Sequence, residues 1–96
     1  MNTENPFDHK NVEKVLRSVY MPLSPDKRRT RKYLRKMSRH IEHAWEIGRK
    51  DGATGNRLVK LEELLEMTGN STLARAMARR AYVAYETGYR AGCGEV

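Results

Sequence analysis

The chain has 96 residues, 19 Lys and Arg against 12 Asp and Glu, a net charge of +7 and a mean hydropathy of −0.82. That length builds one domain with a modest core, and no run approaches the roughly 20 apolar residues of a membrane span. Cys93 is the only cysteine, which excludes an intrachain disulfide and a cysteine metal framework.

The N-terminal stretch MNTENPFDHKN has neither the basic nor the apolar region of a signal peptide, so the expected setting is the cytoplasm. Residues 1–9 have little to pack and are expected to be flexible, 10–92 to form a single helical domain, and 93–96 a flexible tail. Gly and Pro punctuate the domain, and no segment alternates strictly between apolar and polar residues. The fold class predicted is therefore all-α: a bundle of about four helices built as two helical hairpins.

The first helix is expected from about Asn11 to Tyr20, with Val12, Val15, Leu16 and Val19 on one stripe, and it stops at Met21-Pro22-Leu23. Ser24 reads as the N-cap of the second helix, with Pro25 at its first position and Asp26 in its first turn. This helix should run to about Asp51 and end at Gly52 and Gly55. A third is expected from Asn56 to Met67, carrying Leu58, Leu61, Leu64 and Leu65. Ser71 then caps a fourth, which reaches about Gly92.

The second and fourth helices match at an offset of 40. Met37, Arg39, Ala44, Glu46, Gly48 and Gly52 correspond to Met77, Arg79, Ala84, Glu86, Gly88 and Gly92, and Trp45 corresponds to Tyr85. Ala44, Gly48 and Gly52, like Ala84, Gly88 and Gly92, recur every four residues and so form a ridge of small side chains on each helix. A Gly inside a helix costs about 0.5 to 1 kcal/mol relative to Ala. Close packing offsets that cost, so the ridges predict a crossing of the two long helices. Duplication and chance similarity both remain open as origins of the match, and the ridges equally allow a homodimer.

Charge is concentrated in the second helix. Eight of the thirteen residues from Lys27 to Arg39 are basic: Lys27, Arg28, Arg29, Arg31, Lys32, Arg35, Lys36 and Arg39. Up to Lys50 there are 13 basic and 6 acidic residues, and beyond it 6 of each, so the first half holds the whole excess. On a helical wheel Thr30, Tyr33, Leu34, Met37, Ile41, Ala44 and Gly48 share one arc, and the bases lie opposite. Like charges at i, i+4, such as Arg28 and Lys32 or Arg31 and Arg35, repel by roughly 0.2 to 0.5 kcal/mol per pair. An anionic partner would relieve that repulsion, and four phosphate contacts on duplex DNA would give a slope of log K against log salt of about −3.6. A merely solvated face is the plainer alternative.

The fourth helix carries Tyr82, Val83, Tyr85 and Tyr89. It is either a central helix covered by its neighbours or the bearer of an interface of Tyr82, Tyr85, Tyr89, Arg75 and Arg79. Leu61 to Arg80 has the order of a helix-turn-helix, but Leu65 and Asn70 occupy places where that motif has a small and an apolar residue. His40, His43 and Glu46 drift round the helix and do not make a metal site. Glu62, Glu63 and Glu66 read as a solvent face. No cofactor and no catalytic group are expected. Two functions fit: a nucleic-acid-binding accessory protein (DNA or RNA) using the basic face, or an adaptor or inhibitor docking on an acidic protein surface, such as that of a nucleic-acid-processing enzyme.

Overall fold

The computed structural model describes residues 4–55 and 71–94. Among them there is no strand. Three α-helices are present, α1 (His9–Tyr20), α2 (Lys27–Thr54) and α3 (Thr72–Gly94), with a single 3-10 turn at Met21–Leu23. About four helices were expected; the one from Asn56 to Met67, and with it the second hairpin, lies outside the described residues.

The helix ends follow from their caps. Asp8 starts α1 two residues earlier than expected, because its carboxylate accepts from the backbone N–H groups of Lys10 and Asn11. The cap of α2 is Asp26, not Ser24: Asp26 Oδ1 accepts from the Arg29 N–H at 3.1 Å. Ser24 instead closes the 3-10 turn, and its hydroxyl donates to the Asp26 carbonyl at 2.9 Å. Gly55 ends α2 with φ of 78°, a left-handed conformation that favours glycine, and its N–H reaches the Asp51 and Gly52 carbonyls. At the start of α3, Ser71 Oγ accepts from the Ala74 N–H at 3.0 Å, the expected cap.

α1 runs antiparallel to α2. Glu42 accepts from His9 and Glu13 faces Arg35, so later residues of α1 meet earlier residues of α2. The N-terminal leader joins this contact and has more to pack than its sequence suggests. Asn5 Nδ2 donates to the Glu42 carbonyl at 3.1 Å, and Phe7 packs against the core. The stripe on α1 divides: Leu16 is fully buried, whereas Val15 and Val19 stay about half exposed.

α2 and α3 form the centre of the molecule and run parallel. A Cβ on Gly48 would fall less than 3.0 Å from the Tyr85 carbonyl, and one on Gly88 equally close to that of Trp45. Gly52 meets the Tyr89 carbonyl and Gly92 that of Arg49 in the same way. Each glycine therefore faces a residue 37 or 43 positions away, symmetrically about the offset of 40, and the pairing is reciprocal. Constant offset means parallel helices, and reciprocity means a pseudo-two-fold axis along them. The ridges read from the sequence thus meet as backbone against backbone, with a glycine Cα–H directed at each carbonyl oxygen.

Towards the N-terminal ends the interface changes to Leu34, Met37 and Ile41 against Ala74, Met77, Ala78 and Ala81, all buried. Two polar groups enter this core with partners. Ser38 Oγ donates to the Leu34 carbonyl at 2.7 Å, and the Tyr85 hydroxyl donates to Asp51 Oδ2 at 2.7 Å. No described helix is long and apolar enough to cross a membrane.

Candidate nucleic-acid interface

The apolar arc of α2 faces inward and leaves the bases outside: Lys27, Arg28, Arg29, Arg31, Lys32, Arg35, Lys36 and Arg39 are all exposed. Arg28, Lys32, Arg35 and Arg39 follow steps of four, three and four and so make one stripe. At 1.5 Å per residue its ends are about 16 Å apart. Lys32 and Lys36 form a second i, i+4 pair beside it.

Among the described residues little neutralises this charge. Lys27 donates through its ammonium to the Met21 carbonyl, which ties it to the turn before the helix. Arg35 lies 3.8 Å from Glu13, but Glu13 also faces Arg17 at 3.6 Å. Such an exposed pair is worth about 0 to 1 kcal/mol. Arg28, Arg29, Arg31, Lys32, Lys36 and Arg39 have no carboxylate within 4.0 Å among the described residues.

Position along the helix sharpens the conflict. The first turn of α2 contains no acidic residue, while Lys27, Arg28 and Arg29 stand at its N-terminus. That end carries the positive pole of the helix dipole and prefers anions. Among the described residues Asp26 alone answers it, so repulsion between neighbours and repulsion from the dipole act in the same place. The arrangement is unfavourable to the free protein and favourable to a bound polyanion.

The contribution expected from the last helix is divided by the fold. Tyr85 is no surface anchor: it is fully buried, with its hydroxyl committed to Asp51. Its large ring fills the core beside the glycine crossing, the role of Trp45 in the other half of the pseudo-dyad. Tyr82 and Tyr89 are half-buried and pack against the core, while Arg75 and Arg79 are exposed. The offset of 40 pairs Arg35 and Arg39 with Arg75 and Arg79; Arg35 approaches Glu13 of α1, and Arg79 lines a cleft that α1 also lines.

Other polar groups are local. His43 Nδ1 lies 3.8 Å from Glu46 Oε2, and no three metal-ligating side chains cluster among the described residues. Burial lowers the His40 imidazole below its ordinary value, and the charges of Lys36 and His43 lower it further. Burial likewise holds the Tyr33 hydroxyl above its usual range, with Tyr20 adding to the effect. The Cys93 thiol donates to the Gly52 carbonyl at 3.6 Å. Glu62, Glu63 and Glu66 lie outside the described residues, as does the first part of the helix-turn-helix comparison.

Sequence reading passes over an apolar groove between α1 and α3. Its signal is present in Val12 and Val15 on α1 and Val83 on α3, which are too short a set to name a groove without the helix packing. Comparison with known protein families, characterised proteins and solved structures finds no match.

Proposed function

We propose that this protein is a small nucleic-acid-binding accessory or regulatory protein of the cytoplasm that contacts phosphates through the N-terminal half of α2. One observation carries the reading: six exposed bases without a carboxylate partner among the described residues line the N-terminal half of a helix whose other face is buried, and two of them, Arg28 and Arg29, stand in its first turn. Solubility alone does not need charge placed where helix and neighbours both oppose it. Phosphates along a duplex supply closely spaced anions that relieve both terms, and each contact releases counterions.

The role is binding and positioning. Phosphate contacts fix a protein on the duplex whatever the sequence of its bases. The reading is tested by fluorescence anisotropy with a 20-base-pair duplex of arbitrary sequence across a salt series. If Arg28, Lys32, Arg35 and Arg39 each meet a phosphate, the slope of log K against log salt is about −3.6, and Arg28→Gln with Arg35→Gln brings it to about −1.8. A slope unaffected by that pair of changes would refute the stripe as the contact. An affinity for acidic protein surface in place of duplex would support the adaptor or inhibitor function instead.

A further inference from the structure

A groove of about 440 Å³ runs between α1 and α3, floored by Ile41 of α2. Val12 and Val15 line one wall, and Val83 with Arg79 and Arg80 the other. Val15 is 53% and Val83 55% exposed, which is high for large apolar side chains facing one cleft. Arg79 and Arg80 have no carboxylate within 4.0 Å among the described residues, and the Arg80 guanidinium lies 6.0 Å from the Tyr20 ring.

We propose that this groove docks an amphipathic helix of a partner protein, one with an apolar stripe bordered by carboxylates on a single side. The charge of the groove selects that chemistry. Its floor and, apart from Asn11, its α1 wall are apolar, and Arg79 and Arg80, without a carboxylate partner among the described residues, lie on the α3 wall, so an occupant needs acids along one edge of its apolar face. Shape selects a helix over a small amphiphile. The valines expose half of their surface outward and do not enclose a pocket, so the occupant must lie across both walls. α1 is 12 residues long, about 18 Å, enough for about three turns of a docked helix.

This surface is separate from the basic stripe, which the test exploits. The full-length protein carrying Arg28→Gln, Lys32→Gln and Arg35→Gln is titrated with a designed peptide of about four helical turns bearing Leu on one stripe and Glu along one edge. The same peptide with Lys for Glu, and dodecanoate, are titrated alongside. Affinity is read by calorimetry and location by amide NMR shifts. The Glu peptide should bind at least about ten-fold more tightly than the Lys peptide, with shifts centred on Val12, Val15, Arg80 and Val83. Val83→Asp, an exposed change whose folding is checked by circular dichroism, should weaken it about ten-fold. Arg79→Glu with Arg80→Glu should reverse the order of the two peptides. Equal affinity of the peptides, shifts centred elsewhere, indifference to Val83→Asp, or saturation by dodecanoate without binding of the Glu peptide would each overturn the proposal. Loss of duplex binding by the triple variant with the peptide still bound would leave it standing.

Discussion

Gly48, like the three other glycines at the helix crossing, is tightly constrained, because a single methyl there has no room except by moving a backbone. The added Cβ would meet the Tyr85 carbonyl, its carbonyl carbon and its Cα, none of which can rotate away. Overpacking of this kind costs about 1 to 3 kcal/mol, and a rigid obstacle puts Gly48→Ala near the top of that range. Urea denaturation followed by circular dichroism should show the loss, and Gly55→Ala makes a useful contrast. At Gly55 nothing lies near the added Cβ, and only its left-handed φ opposes the change. Tyr85 offers a second measurement at this scale. Asp51 is 8% exposed and accepts the Tyr85 hydroxyl, so Tyr85→Phe deprives a buried carboxylate of its donor and should cost about 1.5 to 3 kcal/mol. Asp51→Asn keeps an acceptor and should cost less in the same urea titration. Burial of the Tyr85 ring was not legible in the sequence, since Tyr82, Val83, Tyr85 and Tyr89 fit a covered helix and a surface patch equally well. Only the position of the glycine crossing decides which of them faces inward.

For α2 as an element, stability and binding pull in opposite directions. Removing Arg28 and Lys32 abolishes their mutual repulsion, that between Lys32 and Lys36, and the clash of Arg28 with the dipole. At about 0.2 to 0.5 kcal/mol per pair and 0.3 to 1 for the dipole, Arg28→Gln with Lys32→Gln should raise the stability of the free protein by about 1 kcal/mol. A rise in Tm at low salt that shrinks as salt is added is the expected result, together with weaker duplex binding. A fall in Tm would mean that these side chains already have structural partners. The inward arc of α2 and its outward bases could be read from periodicity alone, because a helix of 28 residues gives the pattern many turns in which to declare itself. The caps were half legible. Ser71 and Gly55 act as their residue types predict, but Ser24 and Asp26 are both good caps two residues apart, and the choice between them depends on the turn that precedes the helix. α1 was the least legible element, since its early start and its attachment rest on Asp8 and on Glu42, a residue 33 positions beyond His9.

Across the whole molecule, acid should loosen the structure in two stages. His40 titrates below its ordinary 6.5 because of burial and then the neighbouring charges of Lys36 and His43. Burial pushes the Glu42 carboxyl up, but the hydrogen bonds from the His9 backbone and ring, with the charge of His9, outweigh it and leave the group below its ordinary 4.5. A lowered value in the folded state means that the unfolded chain takes up the proton first. The stability from each group is therefore complete above its ordinary value and is lost as pH falls through its folded value. Urea midpoints should decline first below 6.5 and again below 4.5. His40→Gln should remove the upper decline and Glu42→Gln the lower one.

The glycine crossing also has a mechanical consequence. It clamps α2 to α3 over the C-terminal portion of both helices, where backbone touches backbone, whereas Leu34, Met37, Ile41 and Met77 wedge the two apart nearer their beginnings. The two backbones therefore lie closest at that end. The basic stripe lies along the other end of α2, so the bulk of four buried side chains sets the angle between that end and α3.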